Sequence, residues 1–357
     1  EAIVMSLETL IGVERNVFEE TAEHANRIVL KSPVLSHSKF HRLMTLNHPL
    51  YPTEVIDLSY VPDVGLKAAI EAVCAKAEAS TRAGKVILVL SDRNIVQGLL
   101  PIPAVLATGA IHHHLISKGL RCDSNIIVET GAARDPHHFA VLIGFGATAI
   151  YPYLSYQTIC EQIQSGEIIV DPLEALKNYR KAITKGLLKI ISKMGISTIA
   201  SYRGAQLFEV VGLSREIVDL CFKGALSRIQ GASFADLQKD QQQLAQAAWT
   251  LRKPLDPGGL LKYVHDSEYH AFNPDVVQAV HKAVRSGLYE DYLEYVAIVS
   301  DRGISYLRDL LCIKETQSIA VSEVEPIELI LPRFDSAGMS LGALSPEAHE
   351  AIAVAMN

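Results

Sequence analysis

The chain has 357 residues, 49% of them hydrophobic, and a formal net charge of −7. Its lysines and arginines are scattered rather than clustered, which argues against nucleic acid as a main partner. No apolar run approaches the roughly 18 residues of a membrane-spanning helix, and the first ten residues do not have the pattern of a signal peptide. Composition therefore predicts a soluble, cytoplasmic protein that binds neither nucleic acid nor membrane.

The cysteines and histidines give no pattern for a metal site. The five cysteines are widely separated and have no CxxC pair, so we expect reduced, buried thiols and no metal ligands. Three adjacent histidines at 112–114 would point in different directions on a helix, and so could not converge on one ion. The chain begins with Glu and stops inside an apparent helix. We therefore expect it to be cut from a longer polypeptide.

The central part of the chain predicts a parallel sheet. Residues 1–50 predict an irregular arm that wraps the domain after it, residues 54–60 a first strand, and residues 62–84 an amphipathic helix. Three apolar strands then alternate with two helices, with strands in 85–94, 125–135 and 148–154 and helices in 101–120 and 137–146. Strands without polar alternation are apolar on both faces and belong to parallel sheets covered by helices. The unit is predicted to be βαβαβ.

The later part of the chain predicts further helices and a domain boundary. Helices are predicted at 156–164, 178–195, 213–225 and 233–251, and a fifth parallel strand at 196–206. RKPLDPGGLLKY (252–263) is the clearest break, so we place a boundary after residue 252. Beyond it we expect helices at 273–287 and 291–303, a strand within 326–345, and a helix that begins at Pro346 with Ser345 as its cap. This order predicts a doubly wound sheet or an incomplete (βα) barrel.

The predicted strands end in polar or turn-forming residues, which are Ser91-Asp92-Arg93, Glu129-Thr130-Gly131, Tyr151-Pro152-Tyr153 and Ser201-Tyr202-Arg203. Ligands bind at the carboxyl edge of parallel strands in α/β folds, so this edge is a candidate site. The alternative is structural: Asp92 and Glu129 cap the next helices, and Arg93 pairs with one of them.

Known phosphate and nucleophile motifs are missing from the sequence. It contains no GxGxxG, GxxxxGK[ST] or GxSxG pattern. Residues 196–251 also lack the Gly-rich phosphate loop that a complete flavin barrel carries near its last strands. SAGMSLGALS (336–345) is different, because small residues before a helix allow either a ligand or a packed backbone to approach closely.

Several segments together resemble the glutamate synthase large subunit, above all its bacterial NADPH-dependent type. The clearest are LSDRNI (90–95), RCDSNIIVET (121–130), ARDPHHFAVLIGFGATAIYPYL (133–154), SKMGISTIASYRG (192–204) and MSLGALSPEAHEA (339–351). The resemblance implies that residues 1–252, with the arm 1–50, are the central domain, a rudimentary (βα) barrel without flavin. Residues 253–357 would be the truncated beginning of the FMN-binding (βα)8 barrel domain.

The resemblance also implies a function. The complete enzyme makes L-glutamate from 2-oxoglutarate and glutamine-derived ammonia, uses FMN and an iron-sulfur cluster, and has a small subunit that oxidises NADPH. This fragment would hold no cofactor, metal or catalytic residue. It would be inactive alone, and would link the amidotransferase and FMN domains of the same polypeptide.

The resemblance further assigns roles to single residues. The expected lining of the ammonia tunnel is Ser91, Asp92, Arg93, Asn94, Met194, Gly195, Ile196 and Ser197. Met339 and Ser340 match the family's flavin loop, and would contact FMN only in the complete enzyme. Ala337 and Gly338 exchange the order of Gly and Ala in that loop.

Two other functions remain open from the residues alone. A free-standing (βα)-barrel enzyme would use the strand-end edge near Asp92, Glu129 and Arg203. A pure interaction module would dock neighbouring domains through the arm 1–50.

Overall fold

The computed structural model describes residues 3–250 and 259–357. The chain forms two compact units, residues 1–252 and 253–357. The boundary predicted after residue 252 lies outside the described residues, and a domain boundary there stays a prediction.

The first unit is built around a parallel sheet. In chain order its elements are β1 (Thr9–Ile11), β2 (Ile28–Leu30), α1 (His37–Met44), β3 (Thr53–Asp57), β4 (Ser59–Tyr60), α2 (Leu66–Arg82), β5 (Ile87–Ser91), β6 (Leu100–Pro101), α3 (Ala104–Ser117), β7 (Asn125–Glu129), α4 (Pro136–Gly144), β8 (Ala149–Tyr151), α5 (Tyr153–Gln164), α6 (Pro172–Lys193), α7 (Ile199–Tyr202), β9 (Glu209–Leu213), α8 (Arg215–Cys221), β10 (Leu226–Ala232) and α9 (Phe234–Thr250). Strands β3, β5, β7 and β8 pair in parallel in that order. The predicted α/β class and its parallel βαβαβ unit are confirmed.

The two central strands are buried at every position because both faces of the sheet are covered. On one face, Leu88, Leu90 and Ile126 pack into the core that also contains residues of α2, α3 and α4. On the other face, Ile87 and Val89 pack with side chains of the arm. Alternate residues of a strand point to opposite faces, so an all-apolar strand needs both covers. Helices supply one cover, and the first 44 residues supply much of the other.

The strand predicted at 196–206 is wrong. Residues 199–202 form the short helix α7, and the next strands, β9 and β10, pair in a separate two-stranded parallel sheet. Gly195 has a φ of 70°, in the left-handed region that ends a helix rather than starts a strand. Ile199 and Tyr202 are the buried residues of the segment, and their spacing of three is that of a helix.

The second unit contains α10 (Pro274–Ser286), α11 (Tyr289–Ser300), α12 (Ile327–Ile330) and α13 (Pro346–Met356). The predicted start of α13 is confirmed, because the Ser345 side chain accepts a hydrogen bond from Ala348 N–H. The strand predicted within 326–345 is wrong: α12 and a 3-10 turn at 331–333 occupy the apolar part. Pro326 and Pro332 each lack the N–H that a sheet ladder needs, whereas proline is tolerated in the first turn of a helix.

Over the part of the chain that the structure describes, none of the helices is both long enough and apolar enough to cross a membrane.

The contact between α3 and α8 gives a test of the packing. Gly109 lies inside α3, where an added β-carbon would collide with the backbone carbonyl of Cys221 at the end of α8. Gly→Ala in an exposed helix stabilises by about 1 kcal/mol. We expect the opposite sign for Gly109→Ala, a loss of about 1–3 kcal/mol from overpacking.

Urea denaturation of the variant measures this loss. Ser117→Ala, at the exposed end of the same helix, is the control and should change the unfolding midpoint little. A Gly109→Ala variant as stable as the parent would contradict the close helix contact.

Candidate functional site at the carboxyl edge of the sheet

Glu129 at the end of β7 is held by Ser91, the last residue of β5, and by Arg93 just after that strand. Its Oε2 accepts a hydrogen bond of 2.7 Å from the Ser91 hydroxyl, and its Oε1 accepts one of 3.2 Å from the Arg93 guanidinium. Because β5 and β7 are paired with Ser91 beside Glu129, the sheet register itself brings these groups together. Glu129 is 7% exposed, so the ion pair neutralises a carboxylate that has little access to water.

Asp92 lies beside this ion pair and has neutral partners. Its Oδ2 accepts a hydrogen bond of 2.5 Å from the Thr130 hydroxyl, and its Oδ1 accepts one of 3.0 Å from Gly131 N–H. The Tyr153 hydroxyl lies 3.5 Å from the Asp92 carbonyl oxygen. Burial raises the pKa of Asp92, and the hydrogen bonds from Thr130 and Gly131 offset part of that rise.

The arm contacts the same edge through the third strand end. His37 Nδ1 and the Tyr151 hydroxyl are 2.8 Å apart, and Phe40 stacks on the Tyr151 ring with centroids separated by 4.2 Å. Burial raises the pKa of Tyr151, while the neighbouring Arg93 acts in the opposite direction. Helix α1 is therefore anchored to β8 by one polar and one aromatic contact.

A cavity of about 620 Å³ opens beside Asp92. It lies among the loops after β5, β7 and β8 and the first turns of α3 and α4, and one residue of α9, Gln241, also lines it. Most of its wall is apolar, with Ile95, Ile102 and Leu154 among the contributors. This volume lies within the usual range for small-molecule sites, which are mostly apolar with a few polar groups.

The second unit has a larger cavity of about 840 Å³, lined mainly by residues 268–272 and 303–306. Its histidine, His270, is already hydrogen-bonded to the Gly259 carbonyl. We favour the smaller cavity as the candidate site because it lies at the strand ends and contains a buried carboxylate.

The structure brings together only some of the residues singled out from the sequence. Asp92 and Glu129 are adjacent through the β5–β7 pair, and Asp92 N–H donates to the Glu129 carbonyl at 3.2 Å. Arg203 instead pairs with Glu14 at 3.2 Å. Glu14 N–H donates to the carbonyl of Cys122, which precedes β7. Arg203 therefore lies near the amino ends of the strands, away from the candidate site.

The expected tunnel residues form two separate groups. Ser91 and Asp92 are buried at the strand edge, whereas Arg93 and Asn94 are exposed. Residues 194–197 follow α6, with Met194, Gly195 and Ser197 exposed, and the Ser197 carbonyl accepts a hydrogen bond of 2.8 Å from Ser6 N–H in the arm. In the described residues, no hydrogen bond or ion pair joins the two groups.

The expected flavin residues are exposed in the second unit. Met339 is 45% exposed, and its carbonyl accepts a hydrogen bond from His349 at 3.2 Å, if that ring nitrogen carries the proton. Ser340 precedes a short 3-10 turn, and a β-carbon at Gly338 or Gly342 would meet no atom within 4 Å. The loop therefore has free space around its backbone.

A half-buried arginine at the amino ends of the strands was not identified from the sequence. Arg121 donates to His112 Nδ1 at 2.9 Å and to the carbonyls of Ser124 and Gly146. Burial, with a contribution from Arg121, lowers the pKa of His112 to about 3. His113 contacts Gln206 and His114 contacts Glu78, so the three adjacent histidines have three separate partners. RCDSN before an apolar strand was the only sequence signal for this contact.

The fold and the site together define an α/β domain in which the carboxylates at the strand ends are bonded to the domain's own residues. A family model described as glutamate synthase central domain matches residues 1–214, and one described as conserved region in glutamate synthase matches residues 270–357. The chain belongs to the glutamate synthase family, and the resemblance seen in its sequence is confirmed.

The curated relatives are much longer than this chain. The NADPH glutamate synthase large chain of Bacillus subtilis is 39% identical over all of this chain and 24% of its own length. The ferredoxin-dependent glutamate synthase 1 of Arabidopsis thaliana is 40% identical over all of this chain and 23% of its own. The chain thus spans about a quarter of these relatives.

Similarity to solved structures is slight. The flavin-binding domain of baker's yeast flavocytochrome b2 matches with a TM-score of 0.31 and 13% identity, over 48% of this chain and 38% of its own. A TM-score this low supports no inference about the fold.

The raised pKa of Asp92 predicts a difference in pH dependence between two variants and the parent. Between the usual aspartate pKa of about 3.9 and the raised folded value, the folded state binds more protons than the unfolded state, so stability falls as pH rises. Asp92→Asn removes this titration. Its stability relative to the parent should therefore increase with pH through that window and become constant above it.

Urea unfolding from pH 4 to pH 7 measures the difference. Thr130→Val removes a hydrogen bond that lowers the Asp92 pKa, so the window in that variant should extend to higher pH. Parallel pH curves for the parent and Asp92→Asn would contradict the raised pKa.

Proposed function

We propose that this chain is the central scaffold of a glutamate synthase, followed by the beginning of its FMN-binding domain. The complete protein would make L-glutamate from 2-oxoglutarate and ammonia released from glutamine, in the cytoplasm. Two family matches that cover 1–214 and 270–357 support this assignment. The chain is about equally similar to NADPH-dependent and ferredoxin-dependent relatives, at 39% and 40% identity. Features that select the electron donor would therefore lie in other parts of the complete protein.

The scaffold role is supported mainly by the hydrogen bonds that the strand-end carboxylates already accept from the domain itself. Both oxygens of Glu129 are bonded to Ser91 and Arg93, and both oxygens of Asp92 to Thr130 and Gly131. A free-standing enzyme at this edge would need Asp92, Glu129 and Arg203 to converge on one substrate. Here each carboxylate joins neighbouring strand ends, and Arg203 lies elsewhere. This arrangement favours a structural role over a free-standing enzyme.

The proposed architecture is a rudimentary (βα) barrel. The sheet has four parallel strands, with helices on one face and the arm on the other. It would correspond to an incomplete barrel in which the arm stands where further strands would close the barrel. Such a domain is rigid because its strands are buried on both faces, and so it would hold an amidotransferase domain and an FMN domain of the same polypeptide at a fixed separation.

FMN and an iron-sulfur cluster would belong to the complete protein, together with a partner subunit that oxidises NADPH. When bound, FMN would supply the hydride that reduces 2-iminoglutarate, the imine of 2-oxoglutarate and ammonia, to glutamate. A β-carbon built at Gly338 or Gly342 meets no atom within 4 Å, so the backbone there is open to a ligand. Met339 and Ser340 would contact it once the remaining barrel strands are present.

Transfer of ammonia between the two active sites requires an enclosed path, because ammonia released into water becomes protonated and ceases to be a nucleophile. Ser91, Asp92, Arg93 and Asn94, with Met194, Gly195, Ile196 and Ser197, are the residues proposed to line it. The exposed members of both groups would face neighbouring domains in the complete protein.

Ser197→Trp in the complete protein tests this path. The Ser197 side chain is exposed, so a large ring there leaves the core of this unit intact. If Ser197 lines the path, the indole obstructs ammonia, and glutamine hydrolysis should exceed glutamate formation. Both rates are measured in one assay: NADPH oxidation gives the glutamate formed from 2-oxoglutarate, and subtracting that amount from the total glutamate released gives the glutamine hydrolysed.

Ser165→Trp is the matched control, since Ser165 is an exposed serine at the end of α5. Its two rates should stay equal. Equal rates in the Ser197 variant would remove that residue from the proposed path.

A further inference from the structure

The scaffold role does not account for the cavity beside Asp92. It has a volume of about 620 Å³, is partly open to solvent, and is lined mostly by apolar side chains of α3, α4 and the strand-end loops. Asp92 lies in its wall and is 6% exposed. His137, His138, Tyr153 and Gln241 add polar atoms to the lining. A cleft of this size with a mostly apolar wall and a few polar groups is typical of a small-molecule site.

Asp92 has no cationic partner among the residues that the structure describes. The neighbouring guanidinium of Arg93 bonds instead to Glu129 at 3.2 Å, and its carbon lies 4.9 Å from the centroid of the Tyr153 ring. The donors close to the Asp92 carboxylate are all neutral: the Thr130 hydroxyl, the Gly131 N–H and, more weakly, the Tyr153 hydroxyl. A buried carboxylate without a counter-charge is costly, and a cation close to it recovers part of that cost.

The carboxylate of Asp92 also has acceptor capacity to spare. Each carboxylate oxygen has two lone-pair sites, and each oxygen of Asp92 uses one in the contacts above. A planar fork of N–H donors is the group that pairs best with a carboxylate. The apolar wall would bury the body of such a ligand, which adds to affinity in proportion to the area removed from water.

We propose that this cavity binds a small organic cation with a flat apolar body, whose amidinium or ammonium group pairs with Asp92 while the body packs against Ile102, Val105 and Leu154. The charge of Asp92 excludes anions such as phosphates, flavin phosphates and dicarboxylates. The site is a binding site without chemistry, and it does not depend on the proposed role of the chain in glutamate synthesis.

A series of three ligands of nearly equal shape tests the charge requirement. Benzamidine is cationic, benzamide is neutral and benzoate is anionic. Isothermal titration calorimetry of the intact protein at pH 8, where ordinary imidazoles are neutral, should show benzamidine binding at least about tenfold more tightly than benzamide, as a charge-assisted hydrogen bond predicts. Benzoate should not bind.

Two variants test whether the ligands bind in this cavity. Asp92→Asn keeps the shape of the side chain and should reduce benzamidine affinity to the level of benzamide. Ala132→Phe fills the cavity from an exposed position in its wall and should abolish binding of both ligands. Ala83→Phe, at an exposed alanine after α2 and outside the cavity, is the matched control and should bind as the parent does.

Stronger binding of benzamidine that is lost in both variants supports the proposal. Equal affinity for benzamidine and benzamide, preference for benzoate, no binding of any ligand, or benzamidine binding that survives Ala132→Phe would overturn it. The Ala132 variant keeps the test decisive if Asp92→Asn proves unstable by circular dichroism.

Discussion

Burial of both faces of the parallel sheet determines where everything else in the first unit lies. The strands β5 and β7 are buried at every position, so neither face can be left to solvent. Helices α2, α3 and α4 cover one face, and the first 44 residues cover much of the other through side chains such as Leu35 and Phe40. The arm is therefore part of the core rather than a peripheral extension.

The same burial sets the electrostatics of the strand ends. Polar side chains begin where the apolar strands stop, and the parallel register puts Ser91 next to Glu129 in an environment with little water. Glu129 obtains a guanidinium as partner, whereas Asp92 obtains only neutral donors. Both carboxylates join neighbouring strand ends, but only Glu129 has a counter-charge, and Asp92 lies without one at the wall of a cavity.

Local patterns in the sequence predicted local structure well. The apolar runs identified β5, β7 and β8, and Ser345 as the cap with Pro346 at the first position identified the start of α13. Contacts between distant segments could not be predicted from the sequence. Contact of His37 with Tyr151, or of Arg203 with Glu14, depends on how distant segments fold together, and no local period encodes it. Segments 196–206 and 326–345 were misassigned because apolar residues in a short run fit a strand or a helical turn equally well.

A first unit that acts only as a scaffold has no flavin site of its own. Fluorescence titration of FMN measures this most directly, with the whole chain and with a form that lacks residues 334–357. The scaffold role predicts no quenching of FMN fluorescence by either form. Tight binding that survives the deletion would contradict it, because the central domain would then carry its own cofactor site.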